Sequence, residues 1–354
     1  MAVQRTVSAQ SLSPTEEQAN WSLRPQLLDE YIGQSRLIER LRIALQAAQI
    51  RKEPMEHLLL FGPPGLGKTT LAHVIAHELG TRLHTTSGPA LTKPGDLVST
   101  LTRIEPRDVL FIDEIHRMPA AVEEYIYPAM EDFKVDVMVD SGMHARSFTM
   151  NLKPFTLIGA TTRAGLVSGP LRSRFGISSQ LDFYSDADLH VIAKRSARLL
   201  TLNLDNDNVL HGLAHRSRGT PRIINRLLRR VRDYALVHNN GVVDTAVVDA
   251  ALKLESIDDL GLDNLDRMYL KIIATVYDGG PVGLEAVAAT LNEDAGTLED
   301  VVEPYLLKMG LLARTRRGRQ LTAQAQEHLQ LRSTRLGTSK PALFDQDQSE
   351  NDEV

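Results

Sequence analysis

The stretch Gly62-Pro63-Pro64-Gly65-Leu66-Gly67-Lys68-Thr69 has the residue types and spacing of a phosphate cradle. Its glycines let successive backbone N–H groups turn toward a polyphosphate, and the N-terminus of a following helix adds its dipole. Lys68 reaches the β- and γ-phosphates, and Thr69 supplies a hydroxyl to Mg2+. An apolar run at 57–61 precedes the motif and a helix-like segment at 70–76 follows it, so a nucleoside triphosphate is the expected ligand. Farther along, the apolar run Val109-Leu110-Phe111-Ile112 ends in Asp113-Glu114. These acids have separate tasks: Asp113 holds the Mg2+ shell, and Glu114 orients and deprotonates the attacking water.

Three further groups belong beside such a site. Ile158-Gly159-Ala160-Thr161-Thr162-Arg163 puts hydroxyls at the carboxyl end of a strand, where they hydrogen-bond a γ-phosphate or the water. Arg172 and Arg174, ahead of Phe175-Gly176, offer a guanidinium to transition-state charge; an ordinary surface pair is the other reading. Arg222 falls in the first turn of a helix opened by Thr220-Pro221, where a cation opposes the helix dipole, so it either points at an anion or is simply solvated.

Strands must deliver these groups. Segments at 57–61, 82–86, 108–113, 155–161 and 177–183 alternate with helical patterns, which implies a parallel five-stranded sheet covered on both faces. Ligands of such sheets sit at the carboxyl ends of the strands. Ahead of the cradle, Leu37, Leu41, Ala44, Leu45 and Ala48 form the stripe of an amphipathic helix. The segment from Leu23 to Gln34 before it is either part of an adenine pocket or plain packing. The βα rhythm breaks at about 134–152, where two alternating runs flank Ser141-Gly142 and predict a projecting β-hairpin. Val135, Val137 and Val139 share one strand face and Phe148 and Met150 share another, packing on their own domain or offered to a partner.

Beyond residue 184 only helices are expected, with Ser185 and Asp188 capping the first, over 185–256. Residues 257–330 read as three helices and a short hairpin, a winged helix. Acids outnumber bases there, and the third helix carries Glu299, Asp300 and Glu303, which suits it poorly to a major groove. The positive charge gathers on the wing, where Arg314, Arg316, Arg317 and Arg319 can straddle a phosphate backbone or form a solvated turn. Residues 1–20 read as a flexible lead-in, 21–184 as a large nucleotide-binding domain and 331–354 as a disordered, acidic tail.

Composition narrows the class further. The chain has 354 residues, room for two or three domains, and its formal net charge of −5 argues against a generally basic nucleic-acid binder. With no cysteine, a disulfide framework and thiolate metal sites are excluded, which fits a reducing compartment. The N-terminus lacks the apolar core of a signal peptide and no run is long enough to span a bilayer, so a cytoplasmic protein with no membrane partner is expected. Ser87 to Lys93, after the second strand, contains no aromatic residue, against a protein-remodelling ring with an aromatic pore loop.

Together, the cradle, Asp113-Glu114, the Thr-Thr pair, Arg174 and Arg222 look like an AAA+ ATPase with two sensors and an arginine finger. The runs Leu23-Arg24-Pro25, Gly62 to Thr70, Leu110 to Arg117, Gly159 to Gly165, Gly219-Thr220-Pro221-Arg222 and Arg317-Gly318-Arg319 more closely resemble the RuvB family of bacterial Holliday-junction branch-migration motors. The resemblance implies an AAA+ domain, a small helical lid and a winged-helix head, using ATP and Mg2+ to move junctions in recombination and repair. It implies that Leu23 and Arg24 contact the base side, and that Gly65, Lys68, Thr69 and Thr70 hold phosphates and Mg2+. It also implies that Glu131, Asp132, Phe133 and Tyr184 lie near the nucleotide, that Thr162 is sensor 1, and that Arg174 reaches a neighbouring subunit's ATP in a hexamer around duplex DNA. Arg314 and Arg319 match wing positions that contact DNA. Phe148 and Met150 match positions that dock on RuvA, where aliphatic residues are common in the family, and the resolvase RuvC is implied as an indirect partner.

Overall fold

The computed structural model describes residues 6–7, 21–138 and 147–329. The large unit holds β1 (Leu58–Phe61), β2 (Leu83–Ser87), β3 (Val109–Asp113), β4 (Lys134–Met138), β5 (Ser147–Asn151), β6 (Thr156–Thr161) and β7 (Ile177–Gln180). Five of them form a sheet in the order β2-β3-β6-β1-β7, and every pairing in it is parallel, as expected. Side chains alternate across the sheet: Leu58, Leu60, Val109, Phe111, Ile158 and Ala160 enter the core on one face, and Leu59, Leu110, Ile112 and Leu157 the core on the other. Burial on both sides explains why these strands read as unbroken apolar runs. The first core continues into the lid through Leu189, Leu213, Ile224, Leu227 and Val248, so the lid is packed onto the large unit by shared apolar burial.

Register then fixes the site. Phe61 pairs with Thr161, Ile112 with Gly159 and Ser87 with Asp113, so the phosphate loop, the acid pair and the threonine pair leave the sheet along one edge. Helix Ser35–Arg51 buries Leu37, Leu41, Leu45 and Ala48 as its spacing requires.

The hairpin pairs β4 with β5 antiparallel, setting Val135 opposite Met150 and Val137 opposite Phe148. Directly opposed residues lie on one side of a ribbon, so Val135 shares its face with Met150 and Phe148 and does not face apart from them. Val135 at its base is buried and Phe148 is 60% exposed. Val139 and the turn lie outside the described residues, as does the expected tail at 331–354.

Two expectations need correction. The lid is not purely helical, because β8 (Asn203–Leu204) and β9 (Val242–Val243) pair in parallel and join the loops around helices Val209–His215 and Pro221–His238. The segment 1–20, expected to be flexible, is packed at residues 6–7: Val7 is buried in the core, and Thr6 bonds Glu255 and accepts from Arg226 Nη1 at 2.8 Å. An apolar side chain with two polar anchors outweighs the polar composition around it; the rest of that segment lies outside the described residues. The Ser185 cap is present, its hydroxyl accepting from Asp188 N at 3.1 Å.

The head carries its own core, built on Tyr269, Leu270, Ile273, Val287, Val302 and Leu306, with helices Asn264–Thr275 and Leu284–Leu291 and a wing of β10 (Leu312–Thr315) against β11 (Gly318–Leu321). Its third helix is broken into Ala295–Thr297, a π-helical turn Leu298–Val302 and Glu303–Lys308. Among the described residues no helix is long and apolar enough to cross a membrane.

Candidate functional site

Helix Lys68–Leu79 starts where Gly67 takes φ 101°, and a Cβ on Gly67 would stand 2.6 Å from the Tyr31 hydroxyl. Only glycine allows both the turn and that approach. The loop so formed opens a cleft of about 730 Å³ lined by Gly65, Gly67, Lys68 and Thr69, by Asp113 and Glu114 from β3, and by Thr162 after β6; Arg222 enters it from the lid and Asp300 from the head.

Lys68 Nζ donates to the carbonyls of Gly62 at 2.7 Å and Pro63 at 2.9 Å. Burial lowers its pKa to about 8, against the opposing pull of Asp113 and Glu114. A polyphosphate restores the missing negative charge and raises that value again, so binding above pH 8 takes up a proton. Affinity for ATP is therefore expected to hold between pH 7 and 8 and to fall by up to about tenfold per unit above 8. A nucleotide titration flat from pH 7.5 to 9.5 would remove this role from Lys68.

Glu114 has φ 48°, and its N–H donates to Asp113 Oδ1 at 2.9 Å. Burial, and then the Asp113 charge, raise the Glu114 carboxyl above the usual range. A raised carboxyl facing a phosphate cleft is suited to accept a proton. Of the threonine pair, Thr161 is fully buried and bonded to His116 Nδ1 at 2.8 Å, so Thr162 is the hydroxyl that lines the cleft. His116 lies within the run Leu110 to Arg117 but had no role assigned to it; its Nε2 lies 3.5 Å from Glu114 Oε2, tying the acid to β6 through Thr161. The donor set fits a Mg2+ ion, since the Thr69 hydroxyl and the Asp113 carboxylate line the same cleft and a divalent cation relieves the crowding of two adjacent acids.

A second pocket opens off the loop between the large unit and the lid, lined by Leu23, Arg24, Tyr31, Thr70, Tyr184 and Asn225 among others. Arg195 of the lid holds it by donating to the carbonyls of Leu23 at 2.7 Å and Arg24 at 3.2 Å. Tyr184 donates its hydroxyl to Leu66 O at 3.2 Å, clamping the loop from the base side, and burial pushes its pKa up to about 12. The segment around Leu23 thus lines an open pocket beside the phosphate loop. Tyr31 falls in the segment already read as a possible adenine pocket, whereas Arg195 carried no motif that marked it.

Glu131, Asp132, Phe133 and Arg174 are absent from both pockets of their own chain. They gather elsewhere: Arg174 Nε lies 3.1 Å from Glu131 Oε1, its guanidinium stacks 4.3 Å over the Tyr127 ring, and Phe133 packs against Phe155 and His57. None of the four lines the chain's own cleft, as expected of an Arg174 that reaches a neighbouring subunit.

The wing also differs from a freely displayed basic cluster. Glu303 is fully buried, accepts the Tyr269 hydroxyl at 2.6 Å, and binds Arg314 Nε at 2.7 Å and Arg319 Nε at 2.9 Å. Two of the four arginines are thus oriented by one buried carboxylate. Arg316 and Arg317 sit exposed at the tip.

Comparison with known proteins gives family models over most of the chain: the Holliday junction DNA helicase RuvB P-loop domain at residues 23–181, the RuvB AAA lid domain at 184–258 and the RuvB C-terminal winged helix domain at 259–330. Among solved structures, the Thermotoga maritima RuvB Holliday junction branch migration motor is 52% identical, with a TM-score of 0.80, over 87% of this chain and 98% of that one. A mutant form of the same Thermotoga protein is 51% identical over the same shares, with a TM-score of 0.81.

Proposed function

Since the chain belongs to the RuvB family of Holliday-junction branch-migration motors, and is an ATP-hydrolysing DNA motor, we propose that it works as a hexameric ring on duplex DNA, delivered to junctions by RuvA. The observation that carries the ring is the separation of Arg174, with Glu131, from a cleft that has every other group it needs. A guanidinium held at a surface, away from its own phosphates, is placed to complete a neighbour's site.

In that site Gly65, Lys68, Thr69 and Thr70 hold the phosphates of ATP, Leu23, Arg24 and Tyr184 hold the base side, and Arg222 of the lid senses the bound anion. Thr69 and Asp113 would hold Mg2+, which would supply charge neutralisation for the phosphates. Glu114 takes the proton of the attacking water while Thr162 orients it. The neighbour's Arg174 neutralises charge that develops on the phosphoryl oxygens, and its Glu131, Asp132 and Phe133 line the same interface. The lid shares its core with the large unit, so closure on the nucleotide moves the head it carries. Phe148 and Met150 are the RuvA contact, RuvC acts downstream without direct contact, and the work is done in the cytoplasm.

The wing carries a prediction of its own. Arg316 and Arg317, exposed at the tip, together with Arg314 and Arg319, contact the DNA backbone without reading sequence. Substituting Arg317 with alanine is expected to weaken duplex binding equally across sequences and to reduce the slope of log K against log salt by about one. An unchanged slope would take Arg317 off the DNA.

The motor itself is tested with a synthetic mobile four-way junction, ATP and a RuvA-type partner on a native gel. Wild type should convert the junction into two duplexes and Arg174→Ala should not. Wild type that hydrolyses ATP yet leaves the junction intact would refute the proposed action with RuvA.

A further inference from the structure

The head reaches into the ATPase cleft. Asp300 lines it and grips Arg163, the residue after Thr162, with Arg163 Nε 2.9 and 3.1 Å from the two carboxylate oxygens and Nη2 at 2.7 Å. Glu299 adds a contact at 3.6 Å. Both acids sit on the π-helical turn Leu298–Val302, a local distortion that recurs at functional sites. Arg163 lines the same cleft as Lys68, Arg222 and Glu114.

We propose that Asp300 is a positioning residue of the ATPase site supplied by the winged-helix domain: it holds Arg163 off the phosphates, and a γ-phosphate competes with it for the same guanidinium, loosening the head from the large unit. The inference rests on the reading of the cleft as an ATP site.

Two of the charge links that anchor the head differ in strength, which decides the one of them that yields. Arg163 and Asp300 are 34% and 29% exposed, a solvated pair that a triphosphate can displace. Arg218 of the lid and Asp266 of the head, 3.0 Å apart, are 3% and 0% exposed, and breaking such a pair leaves an uncompensated buried charge. ATP thus frees the head from the large unit while the lid keeps hold of it. Release is felt at the wing, because Glu299 also lies 3.9 Å from Arg314 and 3.8 Å from Arg319.

The test is titration of the full chain, with Mg2+, by fluorescent ATP and ADP analogues. Asp300→Asn should bind the ATP analogue about fivefold more tightly than wild type and the ADP analogue equally well, since only the γ-phosphate reaches Arg163. In steady state KM should fall with kcat nearly unchanged. In an Arg163→Gln background the effect of Asp300→Asn should vanish. Unchanged affinity for both analogues, an equal shift for both as from a merely structural role, or an effect that persists without Arg163 each overturns the inference. If wild type binds neither analogue, the reading of the cleft falls first and this inference with it.

Discussion

Replacing Arg174 with alanine is expected to lower ATP turnover about a thousandfold or more while leaving ATP affinity within roughly a factor of two, because a guanidinium acting in trans serves the transition state and not ground-state binding. The residue is built for reach. Its helix, Gly169–Ser173, is capped by Ser168, whose hydroxyl accepts from Leu171 N at 3.2 Å. Arg174 Nη1 then donates to Pro170 O at 2.7 Å, and Tyr127 and Glu131 hold the rest of the guanidinium. Side-chain entropy that a free arginine would lose at the interface is therefore partly lost beforehand. Mixing supplies the decisive measurement. Arg174→Ala chains and Lys68→Ala chains should each be inactive alone, yet in the proposed ring a mixture would set the intact cleft of the first against the intact finger of the second. Activity restored on mixing places Arg174 in trans. No restoration, or an Arg174→Ala chain with ordinary turnover, would return it to a surface role.

The sequence made the sheet and most of the cleft legible because both rest on local signals. Glycine spacing, apolar runs ending in acids and a Thr-Pro helix start are short-range patterns with one physical meaning each, and Gly67, Asp113, Glu114 and Arg222 all stand in one cleft. What escaped was made by chain segments far apart. Asp300 comes from the head and meets Arg163 across 137 residues, and Arg195 holds Leu23 from the lid. His116 lies within a readable motif, but its bond to Thr161 depends on the register of β3 against β6. The acids of the third head helix were visible as a misfit for a DNA groove; only the fold shows that Glu299 and Asp300 face Arg163 and that Glu303 orients two wing arginines. The cluster of Arg174, Glu131 and Tyr127 lines neither pocket of its own chain, and what such a cluster faces in another copy is not written in one chain's short-range patterns.

Exchanging Glu114 for glutamine is expected to slow ATP hydrolysis by about 10²–10⁴-fold and to leave ATP binding intact, the magnitude of losing a positioned general base. Glutamine keeps the length and the hydrogen-bonding shape of the side chain, so the contact with His116, 3.5 Å from Glu114 Oε2, survives while the proton acceptor is gone. The left-handed backbone at this position, φ 48°, is set by the turn between β3 and Ile115–Arg117 and does not depend on the carboxylate. Fold and affinity should therefore match wild type, in contrast with Lys68→Ala, which removes the charge proposed to meet the phosphates and should cost binding. Single-turnover hydrolysis alongside a nucleotide titration separates the two effects. A Glu114→Gln chain that still hydrolyses ATP near the wild-type rate would mean that another group activates the water. If hydrolysis stops as expected, the chain should still engage a junction with ATP bound and fail to move it, because in the proposed ring ATP binding would organise the subunits and loss of the γ-phosphate would reset them.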